Sequence, residues 1–80
     1  MTPTPGDKFV RLGWIYTVTD VRSGNVTFTT HCGGRKISPD RKVSIGEWVN
    51  VIADAEPLLE VTMRERNLTE EQAKRWVGRQ

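Results

Sequence analysis

The chain has 80 residues with a formal net charge of +2, and 36% of its residues are hydrophobic and 28% charged. This composition is typical of a globular domain and excludes an intrinsically disordered chain. The single cysteine, Cys32, excludes an intramolecular disulfide and favours a reducing compartment. The N-terminal residues lack the pattern of a signal peptide, and no apolar run reaches the roughly 20 residues of a membrane span. We therefore expect a cytoplasmic protein without a membrane partner.

Residues 1–5 contain two prolines and predict a flexible N-terminal arm. Residues 8–30 are dense in β-branched and aromatic residues, which favour strands. Residues 23–25, Ser-Gly-Asn, predict a turn that folds this stretch back on itself. Gly13 predicts an earlier hairpin or a sharp bend.

Trp14, Tyr16 and Val18 alternate with their neighbours, so we expect them to share one face and to point inward at least in part. Val21 falls out of this alternation, which predicts a β-bulge near residues 19–20. Beyond the turn, Val26 and Phe28 alternate with threonines and should point to the same side of their strand.

Residues 31–34 predict a loop because paired glycines favour a turning backbone, and residues 35–37 and 41–43 predict short strands around a turn at Pro39. Ser44 and Glu47 match a capping box, which predicts a single helical or 3₁₀ turn carrying Trp48. Residues 49–54 alternate and predict the last strand. Five short strands with one 3₁₀ turn before the last predict a mainly β fold, an SH3-like barrel over residues 6–56.

Residues 57–80 predict a C-terminal helical extension that packs on the barrel or on a partner. Within it, residues 57–67 fit either a helix or an extended connector, and the sequence does not decide between them. Thr69 and Gln72 form a second capping box, and Gly78 is placed as a C-terminal cap. These signals predict a helix over residues 70–77.

The adjacent His31 and Cys32 raise the possibility of a metal site or a nucleophile. A zinc site needs about four ligands with paired spacing, and the chain has no second His or Cys. Neighbours in an extended chain point to opposite faces, which is wrong for a catalytic dyad. Residues 33–36, Gly-Gly-Arg-Lys, lack the spacing of a phosphate-binding loop. We therefore expect no catalytic residue, no metal and no cofactor.

The most informative charged segment is residues 31–42, in which four basic side chains are opposed only by Asp40. A turn at Pro39 would place these four on neighbouring strands at one edge, where they could bind nucleic acid or another partner. The alternative is a solvated set of charges that protects the sheet edge. The candidate binding residues are Arg35, Lys36, Arg41 and Lys42, with Arg11 and Arg22 in support.

The aromatic residues divide between core and surface. A domain this small needs most of its aromatic residues in the core, and we expect Phe9, Phe28 and Trp48 there. Trp76 lies in the charged terminal segment, where with Arg75 and Arg79 it is a candidate helix interface. Such an interface would allow a homodimer through the C-terminal helix.

Residues 6–56 also carry a family resemblance. The chain resembles short SH3-like barrel proteins of phages and prophages and, more distantly, small KOW-type and Tudor-type barrels. The resemblance implies a binding module rather than an enzyme, one that docks on nucleic acid in a regulatory role. The alternative is a protein inhibitor of a host complex, of the anti-CRISPR or other anti-defence type. The connection over residues 31–42 and the C-terminal extension depart from the family pattern. The residues that carry the likeness are Gly6-Asp7-x-Phe9, Gly13-x-x-Tyr16-x-Val18-x-x-Val21, Val26-x-Phe28 and Glu47-Trp48.

Overall fold

The computed structural model describes residues 3–78, which form an antiparallel sheet of six strands and three helices. The fold is mainly β, as the sequence predicts. The elements in chain order are β1 (Lys8–Arg11), β2 (Trp14–Arg22), β3 (Asn25–Cys32), β4 (Arg35–Lys36), β5 (Arg41–Ser44), α1 (Ile45–Val51), β6 (Glu56–Pro57), α2 (Leu58–Arg66) and α3 (Glu70–Val77).

The strands are ordered β4-β3-β2-β1-β6, and β5 also pairs with β3. Sequence reasoning predicted five strands, and the part of the chain that the structure describes has six. Among residues 3–78, the hydrogen-bond ladders do not close the sheet into a ring. The established architecture is therefore an antiparallel sheet with helices.

Three hairpins of the sheet have two-residue turns in which both residues have positive φ, as a type I′ turn requires. In the β1–β2 turn, Leu12 has a φ of 50° and Gly13 a φ of 83°. The β2–β3 turn confirms the predicted reversal near residues 23–25. The expected loop over residues 31–34 is wrong in part, because His31 and Cys32 belong to β3. The turn itself consists of Gly33 and Gly34 alone, because a type I′ turn has two central residues.

The predicted bulge is confirmed. Val18 pairs with Phe28 and Asp20 pairs with Thr27, which leaves Thr19 as the extra residue. The insertion returns Val21 to the face that Val18 occupies, opposite Val26. The core therefore receives apolar side chains from both sides of the bulge, Val18 before it and Val21 after it.

The core lies between this face and α1. Val18, Val26, Phe28 and Trp48 are each at most 2% exposed. The Trp48 ring lies with its centroid 5.0 Å from that of Phe28 and 5.8 Å from that of the half-buried Phe9. The predicted core aromatics are thus confirmed, and this face is called the core face below.

The region after Ser44 requires a correction. The Ser44 side chain caps the helix by accepting from the Glu47 amide at 3.1 Å, as predicted, but α1 is a seven-residue α-helix rather than a single helical or 3₁₀ turn. It occupies the first half, residues 49–51, of the segment predicted as the last strand over residues 49–54, because Trp48 and residues 51–52 recur at helical spacing and pack on the core. The strand that follows α1 and pairs with β1 is β6.

The C-terminal segment forms two helices that pack on each other, and α2 also contacts β1. The open question about residues 57–67 is decided in favour of helix. The predicted helix over residues 70–77 is confirmed as α3, with both hydrogen bonds of the capping box between Thr69 and Gln72. Within residues 3–78, no helix has the length and apolar character needed to cross a membrane.

Candidate functional site

The four basic residues of the 31–42 segment lie along the same edge of β3. β5 pairs with Asn25–Phe28 at the start of β3, and β4 pairs with its last two residues. Because β2 occupies the opposite edge of β3, the two short strands follow one another along one side. The structure therefore places Arg35, Lys36, Arg41 and Lys42 together, and this set is called the basic edge.

The register divides the basic edge between the two faces of the sheet. Residues directly opposite each other in an antiparallel pair project to the same face. Arg41 lies opposite the buried Phe28 and therefore projects to the core face. Lys42 is opposite Thr27 and projects to the other face. In the same way, Arg35 lies on the core face and Lys36 on the outer face.

On the core face, one line of paired residues crosses four strands. Arg11 of β1 pairs with Trp14 of β2, Trp14 pairs with Cys32 of β3, and Cys32 pairs with Arg35 of β4. These four residues are called the cross-strand row. Arg11, one of the supporting residues of the sequence prediction, thus shares a face with Arg35 and Arg41 rather than lying on a separate surface.

Trp14 is the exposed aromatic of this row. The sequence predicted it to point inward with Tyr16 and Val18, and it does lie on the core face, but it is 44% exposed. The reason is that α1 starts at the far end of the sheet, where the Ile45 amide donates to the carbonyl of Gly24. At the near end, Arg11, Leu12, Trp14 and Tyr16 line a cleft of about 170 Å³.

Ion pairs neutralise part of the basic surface. Lys36 Nζ lies 2.6 Å from Asp40 Oδ1, and Arg22 Nε lies 3.1 Å from Asp20 Oδ2. No carboxylate oxygen of residues 3–78 lies within 4.0 Å of the charged groups of Arg11, Arg35, Arg41 or Lys42. Of these four unpaired cations, Arg11, Arg35 and Arg41 project to the core face and Lys42 to the outer face.

Arg41 is positioned by the core itself. Its guanidinium carbon lies 5.8 Å from the centroid of the buried Phe28 ring, within the range of a cation–π contact. This contact orients an exposed arginine at the end of the apolar core. Arg41 can therefore present its charge from a defined position on the core face, four residues along β3 from the cross-strand row.

Arg22 is not brought together with Arg11. The two residues stand at opposite ends of the β1–β2 hairpin, and Arg22 pairs with Asn25 beside the β2–β3 turn. Arg22 lies eight positions after Trp14 along β2, a length of roughly 26 Å at strand geometry. Arg22 therefore belongs to a different part of the surface.

His31 and Cys32 project to opposite faces, as successive residues of β3. His31 pairs with Lys36 and lines an outer-face cleft of about 150 Å³ with Lys8, Ile15 and Thr17. Among the residues that the structure describes, no group of three or more His, Cys, Asp or Glu side chains could hold a metal ion.

The candidate helix interface is partly covered within the chain. Trp76 is half-buried, and the guanidinium carbon of Arg66 lies 3.8 Å from the centroid of its ring. Arg75 is exposed on α3, and Arg79 lies outside the described residues. An intramolecular cation–π stack thus occupies one face of the tryptophan.

A pair of charges ties β6 to α2. Arg64 Nη2 donates to Glu56 Oε2 at 3.0 Å, and Nη1 donates to Oε1 at 3.4 Å. The hydrogen bonds, and then the positive charge of Arg64, hold the pKa of the Glu56 carboxyl below its ordinary value. The same contacts raise the pKa of Arg64. Glu56 lies on β6, at the opposite side of the sheet from the basic edge.

No protein-family model, curated protein or solved structure matches this chain in the three comparisons. The candidate site is therefore described from the positions and charges of its own residues. Sequence reasoning missed the cross-strand row, although a signal was present: Arg11-Leu-Gly-Trp14 and Cys32-Gly-Gly-Arg35 each place two residues around a two-residue turn. A type I′ hairpin sets those flanking residues opposite each other.

Proposed function

We propose that this protein is a non-enzymatic nucleic-acid-binding module, of phage or mobile-element type, that docks its basic edge on nucleic acid in a regulatory role. The observation that carries the proposal is the placement of four basic residues on β4 and β5, along one side of β3. Of these four, Lys36 is paired with a carboxylate within residues 3–78, and the other three are not.

The modest overall charge of +2 does not oppose this function. Phosphate contacts depend on cations that are close to one another, because each neutralised phosphate releases condensed counterions. Carboxylates elsewhere in the chain, such as Glu56 on β6, reduce the net charge without neutralising the basic edge. The local density of cations is therefore the relevant quantity.

We also propose that the sheet is an SH3-like barrel of the kind found in phage and prophage proteins. The support is the connectivity: β1, β2 and β3 form a meander, and a short helix precedes β6, which returns to pair with β1. Small barrels of this type serve as binding modules, and their loops determine the partner.

The test is fluorescence anisotropy of labelled DNA and RNA, single-stranded and duplex, over a salt series. We expect binding that weakens steeply as salt rises, and a smaller salt slope for the Arg35→Gln/Arg41→Gln double variant. Two lost phosphate contacts reduce the slope by about 1.4 on a single strand or about 1.8 on a duplex. Arg75→Gln on α3 is the matched control and should keep the slope. Absence of binding at low salt, or binding without salt dependence, would contradict the proposal.

A protein partner is the second candidate, as an inhibitor of a host complex of the anti-CRISPR or other anti-defence type. It is favoured by Ile37, an apolar side chain 41% exposed beside Lys36 on the basic edge. The test is affinity capture from host lysate treated with nuclease. A stoichiometric complex that survives nuclease and is lost in Ile37→Asp supports this candidate, and complexes that nuclease removes argue against it.

A further inference from the structure

The cross-strand row combines an aromatic ring with a cation on each side. Arg11 lies one strand away from Trp14, and Arg35 lies two strands away in the other direction. Since neighbouring strands are about 4.8 Å apart, the row spans about 14 Å across the sheet. The row is thus long enough to contact several consecutive groups of an extended ligand.

The hairpin that carries Trp14 also exposes Leu12. Leu12 is 88% exposed and has a φ of 50°, in the left-handed region that leucine disfavours. A glycine or asparagine would suit this turn position better. Exposed apolar side chains next to each other, one of them on strained backbone, are features that point to a contact surface.

The charge around Trp14 selects an anionic ligand. Arg11 and Arg35 lie on the same face as the ring, with Arg41 further along the edge, and no carboxylate of residues 3–78 pairs with any of them. An exposed indole flanked by guanidinium groups is complementary to a base with phosphates on either side.

We propose that the cross-strand row binds single-stranded nucleic acid, with one base stacked on Trp14 and neighbouring phosphates held by Arg11 and Arg35. This inference rests on the proposed function and adds the strandedness of the ligand. Bases in a duplex are stacked on each other and present only their edges, whereas an aromatic side chain stacks on a base whose face is free. The 44% exposure of Trp14 therefore favours a single strand, whose bases are free to stack on it, over a duplex.

The test compares labelled single-stranded DNA and RNA of about 12 nucleotides, within the site sizes of small barrels, with a duplex of the same sequence. We expect tighter binding of a single strand. Trp14→Ala should weaken that binding by about 5- to 150-fold, the range for loss of one stacked base. The salt slope should stay unchanged, because no phosphate contact is lost. Trp14→Phe should retain most of the affinity, and Trp76→Ala is the control for a tryptophan outside the row.

The outcomes separate this inference from the proposed function. Salt-dependent binding that Trp14→Ala leaves unchanged, or that favours the duplex, overturns the inference and leaves the proposed function standing. Absence of salt-dependent binding to any nucleic acid overturns both, and a protein partner then becomes the better account. Weaker binding in Trp14→Ala with wild-type circular dichroism supports the inference.

A second measurement avoids dependence on the folding of Trp14→Ala. In a Trp76→Phe variant, the remaining tryptophans are Trp14 and Trp48. Trp48 is 2% exposed, so fluorescence quenching by an added oligonucleotide reports on Trp14. Quenching that saturates with the anisotropy signal supports stacking, and saturated binding without quenching contradicts it.

Discussion

Leu12 is a residue whose backbone conformation is unfavourable for its side chain. It occupies the first position of the β1–β2 turn with a φ of 50° and packs little, since it is 88% exposed. Non-glycine residues in this conformation cost on the order of 1 kcal/mol or more. The hairpin is therefore less stable than it would be with a residue that favours positive φ at this turn position.

We expect Leu12→Asn to stabilise the protein by about 0.5–1 kcal/mol, because asparagine tolerates the left-handed region and favours the type I′ turn. Urea denaturation followed by circular dichroism measures the change. Val49→Asn, at an exposed apolar position on α1, is the control and should not stabilise. A Leu12→Asn protein less stable than the parent would show that Leu12 has packing contacts of value.

The limits of sequence reasoning are also visible at this scale. The 31–42 segment indicated a concentration of basic residues, but the division of Arg35 and Arg41 from Lys36 and Lys42 follows from strand register. Register depends on which residues the turns bring opposite each other, and a shift of one residue reverses every side chain. Trp14 is exposed because α1 packs on the other end of the sheet. The position of α1 depends on contacts between residues far apart in the sequence, which a local pattern does not show.

Among the helices, α3 and α1 differ in whether local sequence signals are sufficient to predict them. Every feature that defines α3 lies within residues 69–78: a capping box, acidic residues in the first turn and basic residues in the last. The helix was predicted from these local signals. The apolar residues after Trp48 fit both strand alternation and helical spacing, and packing of Trp48 between Phe9 and Phe28 favours the helix.

We expect Thr69→Ala to destabilise α3 by about 1 kcal/mol through loss of the side-chain cap on the Gln72 amide. Since α3 packs on α2, the loss should appear first as faster hydrogen exchange in α3. Thr69→Ser keeps the hydroxyl acceptor and is the control. Equal exchange rates in the Ala and Ser variants would argue that packing of Ala73, rather than the cap, holds the helix.

At the scale of the whole molecule, the Glu56–Arg64 pair joins the last strand to the C-terminal helices. The pKa of Glu56 lies below its ordinary value of 4.5, with the hydrogen bonds to Arg64 as the main cause. The folded-state pKa is therefore lower than that of the unfolded chain. The pair stabilises the protein above the unfolded value, and this contribution is lost as pH falls through the folded value. Both groups are exposed, so the contribution is small and decreases with salt.

We expect Arg64→Gln to return the pKa of Glu56 towards its ordinary value and to reduce the loss of stability on acidification below about pH 4.5. Carboxyl-detected NMR titration measures the pKa, and thermal unfolding at several pH values measures the stability. Lys74→Gln removes a different ion pair, with Glu70, and should leave Glu56 unaffected. The same Glu56 pKa in the parent and in Arg64→Gln would refute the assignment.

The oligomeric state is the second whole-molecule question. A homodimer through α3 would need access to Trp76, and Arg66 covers one face of its ring. If the dimer predicted from the sequence forms, Trp76→Ala should convert it to a monomer in light scattering at concentrations near its Kd. Arg66→Gln should expose the ring without removing it and is the matched comparison. A monomer mass for the parent protein at high concentration would remove the C-terminal helix from consideration as an interface.

The three two-residue turns also bear on how the chain reaches this fold. Each turn joins strands that are adjacent in sequence, so most of the sheet consists of contacts with short loops to close. Isolated hairpins form in about 1–10 μs, far faster than most whole domains fold. Pairing of β6 with β1 instead joins the two ends of the sheet-forming segment. We therefore expect the central meander to form early and the β1–β6 pairing late, an order that φ-value measurements in β2 and β6 can check.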